Sequence, residues 1–155
     1  MKNSILFLSA LVILFGCSEK KVNTKQFCDE IIQADRDFSK YSVEHGKNAA
    51  FEKFAADDVT FLADNTMPLV GIDLLKERQA KRSDTTFILT WEPIYARAAQ
   101  SGDLGYSYGT WELKIKSVPS KVSKGTYITC WQRQPSGEWK YVLDTGQEGL
   151  GEEKK

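Results

Sequence analysis

Apolar residues recur every three or four positions from Phe27 through Ile31, Ala34, Phe38 and Tyr41 to His45. That is the spacing of one helix face, and Gly46 is placed to end the helix. A second, shorter helix fits Asn48 to Ala56, with Phe51, Phe54 and Ala55 on its inner side. Asp57-Asp58 then turns the chain into a strand, Val59 to Leu62. After a turn cluster from Ala63 to Pro68, Leu69-Val70 reads as a short returning strand and Ile72 to Arg82 as a third helix.

Beyond Asp84 the period changes from helix to strand. Thr86–Ala99, Leu104–Ser117, Gly125–Arg133 and Glu138–Thr145 are rich in β-branched and aromatic residues. Turn signals separate them at Ser101-Gly102-Asp103, over Val118 to Lys124 and at Pro135-Ser136-Gly137. Pro93 calls for a bulge or an edge position in the first run. Short connections favour an antiparallel meander. Three helices followed by such a sheet predict an α+β domain with the helices on one face.

The first residues carry a different signal. An apolar run from Ile5 to Phe15 follows Lys2, too short for a spanning helix and right for the core of an export signal. It ends in Leu14-Phe15-Gly16-Cys17, which resembles a bacterial lipobox and predicts lipid on Cys17. The expected organisation is a signal peptide over 1–16, a polar tether over 17–24, a domain over 25–147 and a polar tail over 148–155. The protein is then an exported, membrane-anchored lipoprotein. Ser18-Glu19 after the lipid site lacks the aspartate that resembles an inner-membrane retention signal, which favours the outer membrane of a two-membrane bacterium.

Charge narrows the partners. The chain has 21 basic and 21 acidic residues and no basic stripe, which speaks against nucleic acid. With Cys17 lipidated, Cys28 and Cys130 can pair or remain thiols. Their apolar neighbours favour two buried thiols.

Particular words then bring a family into view. They include Glu44-His45-Gly46, Ala49-Ala50-Phe51 and Phe54-Ala55-Ala56-Asp57-Asp58. Further on come Leu89-Thr90-Trp91-Glu92-Pro93, Ser101-Gly102-Asp103-Leu104-Gly105-Tyr106 and Gly109-Thr110-Trp111-Glu112. Gly125-Thr126-Tyr127, Trp131 and Trp139-Lys140-Tyr141-Val142-Leu143-Asp144 complete the set. Over residues 25–147 the chain resembles the nuclear-transport-factor-2-like (NTF2-like, ketosteroid isomerase-like) superfamily. Within it, the chain looks most like the SnoaL-like lipoproteins grouped as DUF4440. The resemblance implies a cystatin-like cone, a curved sheet wrapping helices around an apolar pocket, with dimerisation through the outer sheet face.

Isomerases of that superfamily need a carboxylate base and an oxyanion site made of a tyrosine and a protonated acid. Here the corresponding positions are Ala63 (with Asp64 beside it), Ser39 or Phe38, and Thr129, so none of the three parts is present. A lone histidine excludes His-x-x-x-His zinc sites, and no phosphate loop or dinucleotide fingerprint occurs. No cofactor and no metal are expected.

The catalytic candidates are His45, in register with the helical stripe at its polar end, and Asp144, near the end of the last strand. Asp35 borders the stripe and reads as a half-exposed helix charge near Arg36 or Arg97. The expected ligand contacts are Phe38, Ser42 and His45 on the helix and Trp91, Tyr106, Tyr108, Trp111, Tyr127 and Trp131 on the strands. Alternation puts Tyr106 and Tyr108 on one face and Trp111 on the other unless Gly109 starts a bulge. It also groups Tyr127, Thr129 and Trp131 on one face, and Trp139, Tyr141 and Leu143 on one face. Two functions follow. One is an anchored module holding a small, largely apolar molecule. The other is an enzyme acting on a small carbonyl compound, with His45 or Asp144 moving the proton and a strand tyrosine donating to the oxyanion.

Overall fold

A computed structural model describes residues 23–150. The expected signal peptide and the expected lipidation site at Cys17 lie outside the described residues, and no helix among those described is long and apolar enough to cross a membrane. The elements in chain order are α1 (Thr24–His45), α2 (Lys47–Phe54), β1 (Ala55–Phe61), β2 (Leu69–Val70), α3 (Ile72–Ala80), β3 (Phe87–Ala98), β4 (Leu104–Ile115), β5 (Val118–Arg133) and β6 (Trp139–Glu148). The α+β fold predicted from the sequence is present: three helices pack on one curved sheet of six strands, ordered β2-β1-β6-β5-β4-β3, that does not close into a barrel.

Two features of the sheet depart from the expected antiparallel meander. First, β1 lies parallel to β6, so the sheet is mixed. Parallel neighbours need a long crossover, and α3 with the whole β3–β5 meander supplies it. Turn signals report only consecutive strands, so this pairing leaves no local mark. Second, β5 begins at Val118, and Val118–Lys124 is strand, not turn. Ile115 and Val118 are register partners across a two-residue turn, and the polar stretch extends the sheet into solvent. Pro93 meets both expectations for it: β3 is an edge strand, and its register with β4 slips between Pro93 and Tyr95.

Gly46 makes the α1–α2 corner possible. Its φ of 92° is a conformation that side-chain-bearing residues seldom adopt, and an added Cβ would lie 2.8 Å from Asp84 Oδ2. That carboxylate instead accepts the Asn48 N–H at 2.7 Å, tying the start of α2 to the loop before β3.

The core centres on Phe38. Its ring lies 4.6 Å from Trp91, 4.9 Å from Phe51, 5.0 Å from Phe54 and 5.4 Å from Tyr141, in edge-to-face and stacked arrangements. Ile31, Trp131 and Val59 are buried around this cluster. Cys28 and Cys130 are both free thiols.

Candidate functional site

The helices cover only part of the concave sheet face. The uncovered part forms a cavity of about 230 Å³ between α1, α2 and the inner faces of β3, β4, β5 and β6. Phe38, Phe51, Phe61, Leu89, Trp91, Trp111, Leu113 and Tyr127 supply most of its wall. Lys47, Thr129, Asp144 and Gly146 complete it. The wall follows strand alternation: Leu89 and Trp91 point in from β3, Trp111 and Leu113 from β4, Tyr127 and Thr129 from β5. Trp111 is seated by a glycine. A Cβ on Gly125 would lie 2.6 Å from its indole, whose Nε1 donates to the Thr126 carbonyl at 3.1 Å.

Asp144 enters the cavity because β6 is bulged. Cys130 pairs with Leu143 and Trp131 with Tyr141, so Val142 is an extra residue without a partner. Trp139 and Tyr141 face the core before the bulge; after it, Asp144 and Gly146 face the cavity. The expected grouping of Leu143 with Trp139 and Tyr141 therefore breaks, and Asp144 takes the inward place. Its Oδ2 accepts the Thr129 hydroxyl at 2.7 Å. Burial pushes its pKa up to about 7; the Thr129 bond opposes this, the Asp35 charge adds to it, and Lys47 opposes it.

Lys47, the first residue of α2, lies 4.8 Å above the Phe51 ring. Its pKa is lowered, chiefly by burial, against the pull of Asp144. Nothing in the hydrophobic pattern marks this lysine, because its role follows from the corner at Gly46.

Asp35 is the largest departure from the sequence reading. It is fully buried, not half-exposed. Its Oδ1 accepts the Trp91 Nε1–H at 2.7 Å and its Oδ2 accepts the Tyr127 hydroxyl at 2.8 Å. Two walls of the cavity thus hang on one helical carboxylate. Burial raises its pKa, opposed by hydrogen bonds from Ser107, Tyr127 and Trp91. The same bond and charge, added to burial, push the Tyr127 hydroxyl well above the usual range. Arg36, expected near Asp35, instead pairs with Glu92 at 2.8 Å in solvent.

The buried face of α1 is Ile31, Asp35, Phe38, Ser39 and Ser42, rotated from the expected apolar stripe. Ser39 Oγ accepts the Trp91 backbone N–H at 2.9 Å, and Ser42 donates to the Leu89 carbonyl at 3.2 Å, behind the cavity wall. That rotation leaves His45 exposed, its ring stacked on Tyr41 at 3.9 Å and away from the cavity lining.

The remaining candidates divide cleanly. Phe38, Trp91, Trp111, Tyr127 and Asp144 meet at the cavity. Trp131 is fully buried beside it and donates to Ser107 Oγ at 2.8 Å, plugging the core. Tyr106 and Tyr108 lie on the outer sheet face around Tyr95, with ring centroids 6.4 and 5.5 Å from it. The cavity members not named from the sequence as ligand contacts are Lys47, Phe51, Phe61, Leu89, Leu113, Thr129 and Gly146. Leu89 and Leu113 were reachable by counting two from Trp91 and Trp111; Lys47 was not. Among the described residues, no three His, Cys, Asp or Glu side chains come together as a metal site.

No protein-family model matches the chain, and no curated protein matches it. Solved structures do. An NTF2-like protein of unknown function from Pseudomonas putida is 15% identical, with a TM-score of 0.66 over 83% of this chain and 91% of that one. A ketosteroid isomerase-like protein from Erwinia carotovora is 14% identical, with a TM-score of 0.61 over 78% of this chain and 95% of that one. An NTF2-like protein with a cystatin-like fold from Novosphingobium aromaticivorans is 12% identical, with a TM-score of 0.63 over 81% and 83%. At these identities the likeness defines the fold: this chain has the NTF2-like, cystatin-like fold.

Proposed function

We propose that the protein binds a small, largely apolar molecule in the cavity between α1, α2 and the sheet. The observation that carries this reading is the cavity itself. A space of about 230 Å³ is walled by aromatic and aliphatic side chains and has Asp144, Thr129 and Lys47 as its few polar groups. Apolar walls supply affinity and a few placed polar groups supply orientation. Native mass spectrometry of the protein purified from its own host tests this. A co-purifying species of defined mass that is lost on Trp111→Ala supports it, and one retained by that variant places binding elsewhere.

Asp144 favours a second reading, acid–base catalysis on a small carbonyl compound. A buried carboxyl with a pKa of about 7 exchanges a proton readily at neutral pH. His45 has no part in it, since the histidine stands outside the cavity. Turnover abolished by Asp144→Asn, with ligand binding retained, is the expected signature.

The Leu14-Phe15-Gly16-Cys17 sequence supports anchoring of the domain to a membrane through lipid on Cys17. Intact-mass analysis of the mature chain tests it, because Cys17→Ser removes the lipid mass. The exposed outer face, with Tyr95, Tyr108, Ile94 and Ile128, supports self-association there. Tyr108→Glu then shifts the sedimentation equilibrium toward monomer.

A further inference from the structure

The cavity carries an imbalance of charge at one end. Lys47 lines it, with Nζ 4.8 Å from the Phe51 centroid and 5.9 Å from that of Phe61. Arg78 on α3, outside the cavity lining, approaches the same Phe61 ring, its guanidinium 5.5 Å from the centroid and its Nη1 donating to the Thr66 hydroxyl at 3.5 Å. Two cations thus converge on one wall residue, and Arg82 is near enough to add to their field. Among the described residues, neither Lys47 nor Arg78 has a carboxylate within ion-pair distance. The carboxylates nearby are engaged elsewhere: Asp84 accepts the Asn48 N–H, and Asp144 accepts the Thr129 hydroxyl.

We infer that the ligand is amphipathic and anionic: a compact aromatic or aliphatic body fills the cavity, and its carboxylate, or an acidic group of like geometry, seats at Lys47, with Arg78 beyond the Phe61 ring adding to the positive field. This rests on the ligand-binding reading of the same cavity.

Desolvation supports the assignment. Closing a ligand over Lys47 strips water from a charge that no carboxylate pairs directly, which is costly; an anionic head lowers that cost. Asp144 does not stand in for the missing anion. Burial pushes its carboxyl up to about 7, so the protonated form is accessible near neutrality, and that form donates a hydrogen bond to the head group instead of repelling it.

The test is a matched pair of probes with one ring system, 2-naphthoate and 2-naphthylmethanol, titrated calorimetrically into the full chain. Heat from lipid or detergent alone is subtracted. The acid is expected to bind about tenfold tighter or more, the scale of one charge-assisted hydrogen bond. Lys47→Met and Arg78→Met should each shrink that preference, with circular dichroism reporting that the variants are folded. Equal affinity for the two probes overturns the inference and leaves the cavity reading standing. So does a preference that survives both substitutions. Binding of neither probe overturns the cavity reading, and the inference with it.

Discussion

Tyr127 donates its hydroxyl to Asp35 across 2.8 Å, joining the inner face of β5 to the middle of α1. Asp35 also holds the Trp91 indole from β3, so one carboxylate fixes two aromatic walls of the cavity. Asp35→Ala leaves the buried Trp91 indole N–H and the half-buried Tyr127 hydroxyl without their acceptor, and a loss of about 3 kcal/mol is expected from the two bonds. Denaturant unfolding measures it. Arg36→Ala, which removes an exposed pair with Glu92, should cost less than about 1 kcal/mol. Comparable losses for the two would refute the assignment of Asp35 as a buried clamp.

Asp144 makes stability depend on pH in an unusual direction for an acid. Its folded pKa of about 7 lies above the ordinary carboxylate value of 3.8, so the native state holds a proton that the unfolded chain releases. The stability is fully present below about pH 4 and is lost as pH rises through about 7. The drop is at most on the order of 4 kcal/mol, the free energy that separates a pKa of 3.8 from one of about 7. Asp35, Lys47 and Tyr127 face Asp144 and modulate the window. Chemical denaturation at pH 5 and pH 8 should show the wild type weaker at pH 8 and Asp144→Asn nearly level between them. A wild type stronger at pH 8 than at pH 5 would mean the carboxyl is ionised in the fold.

Gly125→Ala probes the seat of Trp111. The new methyl would lie 2.6 Å from the indole and closer still to the Gln147 backbone carbonyl on β6, so both the ring and the β5–β6 pairing must give. Overpacking costs about 1–3 kcal/mol, and more where backbone must move, as it must here. A changed tryptophan emission and weaker binding of 2-naphthylmethanol are expected together. Unchanged binding would place the ligand away from Trp111.

Gln79 on α3 is 5% exposed, and neither side-chain amide atom finds a hydrogen-bond partner among the described residues. Replacing it with methionine keeps the volume and removes the desolvated amide. Gln79→Met should raise stability by about 1 kcal/mol or more. A fall in melting temperature would show that the amide is paired in solution.

His45→Ala removes an exposed ring stacked on Tyr41. Ligand affinity and any turnover should be unchanged, with stability altered by less than about 1 kcal/mol. A loss of binding would bring the end of α1 into the site.

Local pattern was enough for the kind and order of the elements. Helical spacing from Phe27 and alternation through the β-branched runs placed three helices before a sheet, and they put Trp111 opposite Tyr106 and Tyr108. The same alternation put Tyr127, Thr129 and Trp131 on one face. These are properties of neighbours in the chain, and the chain alone contains them.

Tertiary structure decided the rest, for two physical reasons. Hydrophobic periodicity weighs each residue as if it were transferred alone, so it turns an aspartate outward. Asp35 is buried because Trp91 and Tyr127, 56 and 92 residues away, bring donors to it. Strand order and bulges depend on which distant strands meet. The parallel seat of β1 beside β6 and the extra residue at Val142 therefore became visible only in the sheet, and with them the turn of Asp144 into the cavity. Lys47 and Arg78 are 31 positions apart and share no motif; only the fold brings both to the Phe61 ring.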